Sequence, residues 1–118
     1  NVRIIEKMAM RPELEDLFYE FFPELFRGRF KPPEESSMSF GFQCGDERLW
    51  LLLNHCMAIQ QSALVWGLDR QLEEWPEVVQ VKEKCGTLRF YLRRETVDMR
   101  ELRDKLLIDS ADGDESLL

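Results

Sequence analysis

Two β-rich runs meet at Cys85-Gly86, and no other feature constrains the chain as much. Val78-Val79-Gln80-Val81-Lys82-Glu83-Lys84 leads in, and Thr87-Leu88-Arg89-Phe90-Tyr91-Leu92-Arg93 leads out. Gly supplies the positive φ that a tight hairpin turn demands, so residues 78–93 predict a β-hairpin. Pairing Lys84 with Thr87 sets Glu83 opposite Leu88, Lys82 opposite Arg89, Val81 opposite Phe90, Gln80 opposite Tyr91 and Val79 opposite Leu92. Side chains alternate across a strand, so Val79, Val81, Leu88, Phe90 and Leu92 share an apolar face that needs a cover. The other face carries Gln80, Lys82, Lys84, Arg89, Tyr91 and Arg93, and it is basic. Lys82 opposite Arg89 is a like-charge pair that costs stability unless an anion sits between them. That face is either a solvated outer surface or a contact surface for an acidic ligand.

Charge is unevenly spread along the chain. Residues 1–77 carry 8 basic against 14 acidic side chains, residues 78–94 carry 5 against 1, and residues 95–118 carry 3 against 8. The hairpin is thus the one basic stretch in a chain of net charge −7. Such an acidic body repels nucleic acid over most of its surface and favours basic protein partners, or simple solubility. A chain of 118 residues suits one domain with one core. No apolar run is long enough to cross a bilayer, so no membrane association is expected. The opening residues lack the basic start, apolar centre and small-residue site of a secretory signal. Three cysteines, Cys44, Cys56 and Cys85, are an odd number without framework spacing, which fits reduced thiols and a cytoplasmic setting.

Helical periodicity runs from Arg11 to Phe26 through Leu14, Leu17, Phe18, Phe21, Phe22, Leu25 and Phe26. Pro12 suits the first turn, Pro23 should break the helix near Phe22, and Gly28 closes the segment. The phenylalanines read most simply as core. Residues 29–39, with Pro32-Pro33 and Glu34-Glu35-Ser36-Ser37, have loop composition and suggest mobility. Residues 40–44 predict a short third strand. Asp46 is a good N-cap for a long helix from Glu47 to about Trp66, whose stripe is Leu49, Leu52, Leu53, Cys56, Ile59, Ala63 and Leu64, widened by Trp50 and Met57. Gly67 ends it, or Leu68 to Leu72 add a turn. Trp75-Pro76 marks a boundary. Thr96 or Asp98 caps a last helix carrying Met99, Leu102, Leu106 and Leu107. Residues 109–118 form an acidic tail, expected to be disordered at its end. The expectation is one α+β domain over residues 1–108: a small antiparallel sheet, hairpin 78–93 with a third short strand near 40–44, packed against about three helices.

The chemistry readings are mostly negative. Cys44, His55, Cys56 and Cys85 lack the close ligand pairs of a zinc site, and His55 and Cys56 diverge by about 100° on a helix. A Cys–His nucleophilic pair is permitted but not suggested, and His55 is expected on the polar side of its helix. Asp46 and Glu47 beside Gly45 have the types of an acid/base pair, but capping and the helix dipole explain them. No phosphate-binding or dinucleotide loop is present. The feature above background is a polar cluster of Asp46 and Glu47 with Lys82, Arg89 or Arg93. The candidate binding residues are therefore Lys82, Lys84, Arg89, Tyr91, Arg93, Asp46 and Glu47, with no catalytic residue, metal ligand or cofactor expected.

Phe40-Gly41-Phe42-Gln43-Cys44-Gly45-Asp46, followed by a long helix and then by Gln80-Val81-Lys82-Glu83-Lys84-Cys85-Gly86-Thr87-Leu88-Arg89-Phe90-Tyr91, resembles small proteins of phages and bacterial genomes. Pro23-Glu24-Leu25-Phe26 is similar to their N-terminal element, so the resemblance spans roughly residues 20–94. Glu47-Arg48 stands where a Gly-Trp-like pair is usual, and Cys85 where Phe is usual. The cysteine-rich, zinc-ribbon-like end of some relatives has no counterpart here. The resemblance implies a phage or prophage setting and no mechanism. In that setting the expected function is a non-catalytic, acidic protein-binding module, an inhibitor of a host defence system or a toxin antidote. The alternatives are an adaptor that touches nucleic acid, with Tyr91 stacking and Lys82, Arg89 and Arg93 on phosphates, and an enzyme.

Overall fold

A computed structural model describes residues 9–111. Helix α1, Pro12–Phe21, ends where Pro23 requires, and Phe22 already leaves helical geometry. Two short 3-10 turns follow, Arg27–Phe30 and Ser37–Phe40. Strand β1 is Phe42–Gln43, a 3-10 turn spans Asp46–Arg48, and helix α2 is Leu49–Val65. Strands β2, Glu77–Lys84, and β3, Thr87–Arg93, form the hairpin, and helix α3 is Val97–Ala111. The fold is α+β, and the described residues form three α-helices and a three-stranded sheet of order β1-β2-β3. The hairpin is antiparallel, but β1 runs parallel to β2, so the sheet is mixed rather than wholly antiparallel. Helix α3 continues through Ala111, past the expected domain end at residue 108. The rest of the expected acidic tail, 112–118, lies outside the described residues.

The hairpin register is the expected one from Lys84↔Thr87 to Gln80↔Tyr91. Beyond Gln80 it changes. A bulge at Val79 puts Val78, not Val79, opposite Leu92. The extra residue reverses the alternation, so Val78 is fully buried while Val79 is only half-buried. Glu77 is thereby turned to the outer face, opposite Arg93. The turn itself has φ 53° at Cys85 and 77° at Gly86, the double positive φ of a type I′ turn whose twist matches the strands.

The core joins Val78, Val81, Leu88 and Phe90 of the sheet to Leu52, Cys56, Ile59 and Ala63 of α2 and to Met99 and Leu106 of α3. At the β1 edge Phe18, Tyr19, Phe26 and Phe42 stack as one ring cluster, with centroids 4.5–6.1 Å apart. The phenylalanines before Gly28 divide. Phe18, Phe22 and Phe26 are core, whereas Phe21 faces water. The Glu15 carboxylate accepts from the Phe42 N–H at 2.7 Å, and the Met10 N–H donates to the Phe42 carbonyl at 3.2 Å. The short strand is thus fixed on its outer edge.

The capping differs in part from expectation. Asp46 makes no cap on its own helix. It accepts from the Arg11 backbone N–H at 2.9 Å and Nε at 2.6 Å, at the start of α1. Thr96 Oγ1 caps α3 by accepting from Met99 N–H at 3.2 Å, while Asp98 accepts from Trp66 Nε1 at 2.8 Å. Gly67, φ 75°, closes α2: its N–H donates to Leu64 and the Leu68 N–H to Ala63, both at 3.0 Å. That is the paired-bond ending that favours glycine.

The segment expected to be loose is packed instead. Ser36 and Met38 are buried, and residues 27–37 cover the base of the sheet's outer face. There Glu77, 3% exposed, meets Lys31 at 3.0 Å, Arg93 at 3.5 Å and Arg27 at 3.9 Å. Arg27 also donates to the carbonyls of Trp75 and Pro76, beside the fully buried Trp75 ring. Gly28 allows this closeness, because a Cβ there would stand 2.7 Å from Glu77 Oε2 and 2.8 Å from Ser36 Oγ.

Candidate protein-contact surface

The seven candidate binding residues do not form one site. Arg93 is committed to structure, reaching Glu77 and donating through Nη2 to the Glu35 carbonyl at 2.7 Å. The Arg11 N–H and guanidinium hold Asp46 below the usual carboxylate range. The expected cluster of Asp46 with Lys82, Arg89 or Arg93 is therefore replaced by an Asp46–Arg11 pair. Glu47 is exposed and curls over Gly45, where a Cβ would collide with its carboxylate. At the hairpin tip Lys82 and Arg89 face each other across the strands, with Lys84 and Tyr91 exposed nearby. Arg89 Nε donates to Thr87 Oγ1 at 3.2 Å. Among the described residues no carboxylate lies within 4 Å of Lys82, Lys84 or Arg89.

The tip is held from behind by Arg48, which sequence reasoning passed over. Its guanidinium is buried and donates to Glu83 Oε1 at 2.9 Å, to the Ser110 carbonyl at 3.0 Å and to the Gly86 carbonyl at 3.1 Å. A fork of fixed donors suits this three-way junction.

Helix α2 supplies the largest surprise. Its seventeen residues contain no Asp, Glu, Lys or Arg. Leu52, Cys56, Ile59 and Ala63 face the core. Trp50 and Met57, expected to widen that stripe, face outward with Leu64, at 73%, 60% and 44% exposed. One heptad separates each from the next, so the three drift by only about 20° per step and form a line along the helix. Asn54 and Gln61 are exposed beside this line, so the outer face of α2 is uncharged rather than wholly apolar, and the helix is covered on only part of its circumference.

The thiols and imidazole are placed for packing. Burial pushes the Cys44 thiol up to about 12 and the Cys56 thiol well above its ordinary value. His55 is not on a polar side. It is buried, with its ring edge-to-face on Phe90 at 4.5 Å between centroids, and burial lowers its pKa to about 4. Cys85 is exposed at the turn. Among the described residues no group of three His, Cys, Asp or Glu side chains is placed to hold a metal ion, and no helix is long and apolar enough to cross a membrane. Comparison with protein-family models, with curated proteins and with solved structures gives no match for this chain.

Proposed function

We propose that this chain is a non-catalytic protein-binding domain and that the outer face of α2 is its contact surface. The carrying observation is the exposed line Trp50, Met57 and Leu64 on a helix without a charged residue. Interface centres are depleted of charge and enriched in Trp and Met, and a central Trp is a common energetic anchor. Exposed Glu47 and Asp69 lie just beyond the two ends of the helix. The partner is a protein presenting an apolar helix face bordered by Lys or Arg, brought in by the net charge of −7. The phage-type resemblance of residues 20–94 motivates the narrower proposal that this partner is a host defence protein or a toxin in the cytoplasm.

A Met57→Arg variant tests the reading. The side chain is exposed, so the fold should persist, while a cation is set in the middle of the contact. Capture of the basic partner should fall at least tenfold. Undiminished capture by this variant contradicts it. Nucleic-acid binding that is lost in a Lys82→Ala/Arg89→Ala variant supports instead the second reading, in which the hairpin tip contacts nucleic acid. The cross-strand Lys82–Arg89 pair without a neighbouring carboxylate favours it, and salt-sensitive gel shifts would accompany it.

A further inference from the structure

Arg29 is half-buried between α1 and β1, with its guanidinium carbon 4.1 Å from the Tyr19 ring centroid and 4.3 Å from that of Phe30. The two cation–π contacts hold the group without using its N–H donors. Among the described residues Arg29 makes no side-chain hydrogen bond, and no carboxylate lies within 4 Å of it. Arg27, two residues earlier, is the contrast, with its donors on the carbonyls of Trp75 and Pro76. Arg29, Tyr19 and Phe30 line a shallow cavity of about 340 Å³ with Glu15, Phe40 and Gly41. Phe30 and Phe40 are 77% and 63% exposed, so uncovered apolar surface flanks the cation. Glu15 is already engaged, accepting from the Phe42 N–H at 2.7 Å. Gly41, φ 76°, leaves room for it, since a Cβ there would stand 2.5 Å from Glu15 Oε2.

We propose that Arg29 receives an Asp or Glu side chain of a protein partner, with a neighbouring apolar residue of that partner resting on Phe30 and Phe40. A planar fork of N–H groups takes a carboxylate bidentately, and a fork already fixed loses little freedom on binding. Arg and aromatic residues are also the side chains that anchor protein contacts. Burial, with Glu15 adding to it, pushes the Tyr19 phenol up to about 12, so it stays neutral. The cavity then holds one cation, Arg29, and one carboxylate, Glu15. That balance favours a ligand with a single negative charge over the nearly double charge of a phosphate. The net charge of −7 opposes such a partner only at a distance, because physiological salt screens charge beyond about 8 Å. None of the lining residues comes from α2, so this contact is separate from the surface proposed above.

The intact chain is titrated with three capped tetrapeptides, Ala-Phe-Glu-Leu and its counterparts with Gln or phosphoserine in place of Glu. The Arg29 Nε–H resonance, assigned by its loss in Arg29→Lys, is followed by NMR together with the amides. The Glu peptide should shift it saturably, with Kd on the order of 1 mM or tighter. The Gln peptide should bind at least roughly tenfold more weakly, and the phosphoserine peptide no more tightly than the Glu peptide. Arg29→Lys keeps the charge and removes the fork, and amide shifts should show binding weakened roughly tenfold. Phe40→Ala, at an exposed position, should weaken it several-fold with the fold intact, whereas Met57→Arg on α2 should leave it unchanged. An absent or non-saturating shift, or Gln binding as tightly as Glu, overturns the proposal. So does tighter binding of phosphoserine, undiminished binding in folded Arg29→Lys or Phe40→Ala, or loss in Met57→Arg.

Discussion

Arg48 Nη1 donates to the main-chain carbonyl of Ser110 at 3.0 Å, across 62 residues of sequence. Ser110 answers by accepting from the Leu88 N–H through Oγ at 2.7 Å. The pair thereby binds the start of α2, the tip of the hairpin and the end of α3 into one corner. Arg48→Ala leaves Glu83, Gly86 and Ser110 without their shared donor. Hydrogen bonds to a charged group contribute about 1.5–3 kcal/mol, and the loss should be about 3 kcal/mol by urea unfolding. Arg48→Lys should restore little of it, because an ammonium cannot span three divergent acceptors.

Gly28 occupies a position where a side chain has no room. Gly28→Ala drives a methyl toward Glu77 Oε2 and Ser36 Oγ, both nearer than 3 Å. Moving Glu77 also loosens its contacts with Lys31, Arg93 and Arg27. The expected cost is about 1–3 kcal/mol, read as a lowered Tm.

His55 gives the stability a dependence on acid. Its folded pKa, about 4, lies below the ordinary 6.5, so the unfolded chain binds a proton more readily. The contribution is therefore fully present above pH 6.5, declines as pH falls, and is exhausted below pH 4. The shift corresponds to about 3 kcal/mol at most. Carboxylates titrate nearby in pH, so the test is the difference between the wild type and His55→Phe. That difference should change in this window and be flat above it.

Cys85 sits at φ 53° with an exposed side chain, a conformation that Asn adopts more readily than most residues. Cys85→Asn creates the Asn-Gly pair that type I′ turns prefer. Unfolding experiments should show stabilisation of about 0.5–1 kcal/mol. The register from Lys84↔Thr87 onward should be unchanged.

The hairpin was legible because local turn chemistry and alternating side chains agree over residues 80–91. The bulge at Val79 was not, because it depends on distant residues: Lys31, Arg27 and Arg93 gather Glu77 onto the outer face. Nothing near Val79 in sequence announces them. Phe42-Gln43 read as extended, but two residues carry no sign of running parallel to β2. On α2 the difficulty was of another kind. With apolar residues on every side, periodicity does not say which line faces inward: it groups Trp50 and Met57 with the core stripe and leaves His55 on the surface. Asp46 had the right chemistry for a cap, and the structure spends it on Arg11 at another helix. Of the candidate site, the basic tip was readable and the apolar line was not.

The central claim is that protein contact takes place on the outer face of α2. A photo-crosslinking side chain placed at position 57, with a second version at position 84 on the hairpin tip, examines this directly when each is irradiated with the partner bound. The account expects the partner's covalent adduct from position 57, competed away by unlabelled chain but not by Met57→Arg, with little from position 84. Adducts formed from position 84 and absent from position 57 would contradict it.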